Sequence, residues 1–252
     1  ILDGTVEDAS LPDFDGLITD EMTDSAYYEI FGGNRGDLIV DDRDFARRRF
    51  PNFRTIRKYK MVVWVKDHFA TVPYFAEESR NLEAYLHAGG KLVMIGSNIM
   101  QSFMDDSYYL IAPCEPCITY PAKFSSSGWN WFMNEILHVN FGYIGDLIGN
   151  FNSAEGINQY SGLVLNPDTS KIADIWPNYN KLSNVDVVIE PGGFTVPILK
   201  LNSDDNYVDQ KACGVRYYGS GFDVIYIGAP IWHMQAEDAK LLGEKILEDM
   251  DF

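Results

Sequence analysis

Two residue types in this chain sit where nucleophilic chemistry could be done. Ser97 lies in Ile95-Gly96-Ser97-Asn98-Ile99, directly after the apolar run 91–95. His68 follows Asp67 just beyond a second apolar run, 61–65. In open α/β sheets, ligands collect beyond the carboxyl ends of strands. Ser97 is therefore a candidate nucleophile and His68 a candidate base that would take its proton. His233, after a third apolar run, is the alternative base. Asp67 and Asn98 share these strand ends and are candidates for ligand contact. The competing explanation is local, with a hydroxyl or amide capping the next turn.

Other constellations are weaker. Asp13-Phe14-Asp15-Gly16 matches part of a calcium loop, which makes Asp13 and Asp15 candidate metal ligands, but the glutamate that would close the loop is missing. Cys114 and Cys117 form a Cys-x-x-Cys pair among Pro113, Pro116 and Pro121, while Cys213 stands apart. A structural zinc site needs four ligands and no second pair exists, so ordinary thiols or one local or long-range disulfide are expected. Arg43, Arg47, Arg48 and Arg49 lie beside Asp41, Asp42 and Asp44 and are expected to form internal ion pairs. Trp129, Trp176, Tyr179 and Trp232 are aromatic candidates for a sugar-binding groove. Local packing is the alternative for each. His138 ends a predicted helix, where the dipole favours its cation.

The elements that would position these residues are legible. Runs 61–65 and 91–96 are continuously apolar, as in strands covered on both faces. Between them Tyr74, Phe75, Leu82, Tyr85 and Leu86 recur at helical spacing, and Gly89-Gly90 supplies a left-handed stop. This predicts a right-handed βαβ unit. A helix is expected from Thr19 or Asp20 to Gly32-Gly33, another from a Ser125-Ser126-Ser127 cap through Leu137, and a closing one over 236–250. Strands are predicted at 185–189, 196–201, 213–218 and 222–228, partly antiparallel. The stretch 105–184 is rich in Gly, Asn, Pro and aromatics and is expected to be an irregular excursion. The predicted architecture is α/β: a doubly wound, mainly parallel sheet flanked by helices, flavodoxin-like, with an antiparallel extension toward the C-terminus. Residues 1–252 are expected to form one domain, and the abrupt opening Ile1-Leu2-Asp3-Gly4 predicts a longer parent chain.

Composition limits the partners. With 37 acidic against 20 basic residues the formal charge is −17. Such a field repels phosphate backbones, so nucleic acid is not an expected partner. No apolar run is long enough to span a membrane. No motif implies a cofactor.

The order of the pieces resembles the class I glutamine amidotransferase-like fold, in the degenerate branch found in secreted multidomain bacterial proteins. The resemblance rests on Ile1-Leu2-Asp3-Gly4-Thr5 with the helix around Tyr27-Tyr28. It rests also on residues 59–64 followed by 82–92, and on Val215-Arg216-Tyr217 leading to Val224-Ile225-Tyr226-Ile227-Gly228-Ala229-Pro230. The family's enzymes carry a Cys nucleophile between glycines and a His-x-Glu after a late strand. Here the first position falls near Ser97, without the second glycine. After Gly228-Ala229-Pro230 comes His233, with Gln235 where the Glu would be. The resemblance therefore implies a non-catalytic structural or interaction module. Neighbouring domains of the same polypeptide would be its partners, with carbohydrate as a further one, and its location would be extracellular or periplasmic. The alternatives carried from the residues are a hydrolase using Ser97 with His68 or His233, and a glycan-binding module.

Overall fold

A computed structural model describes residues 2–3, 20–32, 41–42, 52–66, 79–96, 99–103, 122–125, 132–144, 151–172, 182, 185–206 and 208–252. Its strands form one mixed, curled sheet. From one edge the order is β2 (Asp41–Asp42), β1 (Leu2–Asp3), β3 (Met61–Lys66), β4 (Lys91–Gly96) and β12 (Asp223–Ile227). It continues through β11 (Ala212–Tyr217), β10 (Thr195–Ser203), β7 (Phe151–Gly156) and β8 (Val164–Leu165). From β11 a branch leads through β9 (Val187–Pro191) and β6 (Val139–Ile144) to β5 (Ala122–Ser125).

The five strands from β2 to β12 pair in parallel, and every described pairing beyond β12 is antiparallel. The sheet is thus mixed, where a mainly parallel one with an antiparallel extension toward the C-terminus was expected. The difference arises in the stretch 105–184, which was expected to be irregular. It contributes β5, β6, β7 and β8. Their sequences, such as Phe-Asn-Ser-Ala-Glu-Gly in β7, lack a clean apolar alternation, so pairing with β10 makes the strand rather than local preference.

The parallel half follows from its apolar runs. β3 and β4 are adjacent and in register from Met61↔Lys91 to Lys66↔Gly96, and β12 lies on the other side of β4. Side chains alternate between faces. Val62, Trp64, Leu92, Met94, Val224 and Tyr226 join one core cluster with Leu82, Tyr85 and Leu86 of α3 (Ser79–His87). Val63, Val65, Val93, Ile95, Ile225 and Ile227 join the opposite cluster. That cluster also holds Tyr27 and Ile30 of α1 (Asp20–Ile30), and Leu242 and Ile246 of α4 (Ala236–Asp249). Burying each such aliphatic side chain contributes about 1.5–3 kcal/mol relative to exposure.

Local signals hold where they were strong. Gly89 ends α3 at φ 86°, and the Gly89 amide donates to the Leu86 carbonyl at 2.8 Å. The Tyr85 hydroxyl then donates to the carbonyl of Tyr59 or Lys91, tying this helix to the starts of both strands. Ahead of β3, residues expected to lead straight into the strand instead begin with the short helix α2 (Phe53–Ile56), whose Asn52 cap accepts from the Thr55 amide. Ser125 lies in β5 and not in a helix cap, and the helix predicted after it is a π-helical turn, Phe132–Ile136, with Phe132, Met133 and Ile136 buried. His138 follows it at φ 49°, stacked on Tyr217 with 5.0 Å between ring centres. Its surroundings are those of a packed ring beside a single helical turn, too short for the dipole argument. Cys213 is a free, fully buried thiol, so no long-range disulfide involves it.

Candidate functional site

The carboxyl ends of β3, β4 and β12 converge on a buried polar cluster: Lys66, Asp186 and Tyr226. Lys66 closes β3 and is 1% exposed. Tyr226 shares its sheet face, two strands away across β4. Asp186, fully buried just before β9, reaches the same end because its amide donates to the Gly228 carbonyl at 2.7 Å, beyond β12.

Two glycines make the approach possible. Gly96 stands opposite Lys66 at φ 142°, and a Cβ there would lie 1.9 Å from the Lys66 carbonyl oxygen. Gly228 packs against Asp186, where an added Cβ would come within 2.4 Å of the Asp186 carbonyl oxygen. Neither position admits a larger residue without moving backbone.

Two donors gather on one oxygen of the carboxylate. Its Oδ2 accepts the Met100 amide at 3.3 Å and the Tyr226 hydroxyl in a short hydrogen bond. Burial raises the Tyr226 pKa, and the Asp186 charge pushes it further the same way, so the phenol stays protonated and donates. Burial lowers the Lys66 pKa from 10.5 to about 8, although the negative Asp186 pulls it up. A lysine poised near neutrality can act as a base or nucleophile when a substrate can reach it. Here it is enclosed, and the carboxylate beside it anchors the chain that follows β4.

Asp13, Asp15, Asp67, His68, Ser97, Asn98, Cys114, Cys117, Trp129, Trp176 and Tyr179 lie outside the described residues. Trp232 and His233 occupy the turn Ile231–His233 after β12. The His233 Nδ1 faces the Lys171 carbonyl at 3.2 Å. The Trp232 ring is largely buried, with the Lys171 ammonium 4.5 Å from its centre. Among the described residues no group of His, Cys, Asp or Glu is placed to hold a metal ion, and no helix is long and apolar enough to cross a membrane.

The sequence reading missed Lys66, Asp186 and Tyr226. Two signals could have found them. Lys66 ends an otherwise apolar run, and Asp186 interrupts another, Val185 to Ile189. A lone charge within a buried strand needs a partner.

No protein-family model matches this sequence, and no curated protein is similar to it. Solved structures share its fold. A catalytic mutant of the GH42 beta-galactosidase Gan42B from G. stearothermophilus aligns with 100% of this chain at 15% identity and TM-score 0.51. This chain spans only 30% of that beta-galactosidase chain. The N-terminal domain of mmIFT52 aligns with 100% of this chain at 11% identity and TM-score 0.51, over 96% of its own length. A ThuA-like protein from Bacteroides uniformis is a more distant match, at 13% identity and TM-score 0.47, covering 97% of this chain and 88% of its own. At these identities the first two show a common fold and nothing about activity.

Proposed function

We propose that this chain is a non-catalytic module of a longer, exported polypeptide that works by packing against neighbouring domains. The observation that carries this reading is the filled strand end. Where an α/β enzyme of this architecture would open a cleft, Lys66, Asp186 and Tyr226 are buried with at most 1% exposure. In this reading the parallel half, with helices on both faces, is the doubly wound core of an amidotransferase-like fold, and the antiparallel half is added to it. The same fold occupies 30% of one beta-galactosidase chain and nearly all of a chain described as an N-terminal domain, which is how a module is used. Export, to the extracellular space or the periplasm, belongs to the reading through the sequence resemblance.

The test has two parts. Purified protein is expected to release nothing from glutamine, simple amides or simple esters. In the folded state an amine-reactive reagent should spare Lys66 while it labels surface lysines. Hydrolysis that disappears in Ser97→Ala would restore the serine hydrolase and sink the proposal. Rapid labelling of Lys66 would show the strand end to be open. Oligosaccharide binding lost in Trp232→Ala would favour a glycan-binding module instead.

A further inference from the structure

We draw no further inference here: the strongest candidate, the apolar cavity of about 180 Å³ between α1 and α4, is lined by two glutamates and two lysines whose charges balance, and nothing in the structure shows what covers it.

Discussion

Lys66 makes the stability of this protein depend on pH in a direction that can be worked out in advance. Its pKa is about 8 when folded, against 10.5 for an ordinary lysine. Below pH 8 the side chain is charged in both states, and the folded state bears the cost of a buried ammonium. Between pH 8 and 10.5 the folded protein has shed a proton that the unfolded chain still binds, so stability rises with pH through this window. The gap, 10.5 less about 8, is about 2.5 units, or about 3 kcal/mol at about 1.4 kcal/mol per unit. Other groups act oppositely. Burial raises the pKa values of Tyr85, Tyr160 and Tyr226, so their contribution is present below pH 10 and lost above it. Lys66→Met isolates the lysine, because both proteins share the tyrosines. Urea unfolding of the parent and the variant from pH 7 to 10.5 should show the parent gaining about 3 kcal/mol relative to Lys66→Met. For a chain of this size that is about 6–12 °C in melting temperature. A difference that stays flat across the window, or shrinks as pH rises, would refute the placement of Lys66 as a buried charge beside Asp186.

Gly96→Ala should cost more than about 3 kcal/mol, because its Cβ would meet the Lys66 carbonyl at 1.9 Å and no side chain stands between them to give way. Gly162→Ala, at φ 89° with nothing nearby, should cost only about 1–2 kcal/mol, and equal losses in thermal melts would contradict the packing. The Cys213 thiol is fully buried, and desolvation raises its pKa to about 12, so mass-spectrometric mapping should find it unmodified by a thiol reagent until denaturant is added; native labelling would refute its burial. Arg216 joins Asp223 at 2.8 Å, Asp249 at 3.2 Å and the Tyr217 carbonyl at 2.7 Å, so Arg216→Met should destabilise by about 3 kcal/mol in urea titrations, whereas a loss below about 0.5 kcal/mol would show the network to be dispensable.

The site was harder to read from the sequence than the sheet, for a physical reason. Burial on both faces writes itself into composition, so Met61 to Val65 and Lys91 to Gly96 announce neighbouring parallel strands. The glycine stop of α3 and the apolar stripe of α4 are equally local, each set by chain geometry within a few residues. Lys66, Asp186 and Tyr226 are separated by 120 and 40 positions, and each alone looks like an ordinary strand-end or strand residue. Strand pairing brings Tyr226 and Lys66 to one end. The Asp186 amide, caught by Gly228, brings the carboxylate to the Tyr226 hydroxyl. The strands of the middle stretch were hidden for a related reason, since β7 owes its extended form to pairing with β10.

What the sequence determined by itself was the parallel half, with its two buried strands and its capped helices, and the acidic composition. Those are properties of short windows and of composition, and they survive without knowledge of the partners. Only the tertiary structure decided that the stretch 105–184 adds strands to the antiparallel part, that a lysine, a carboxylate and a tyrosine are buried at the carboxyl end of the parallel strands, and that α1 and α4 leave a cavity between them. Each of these depends on which distant segments meet, and long-range contact is set by packing the whole chain at once.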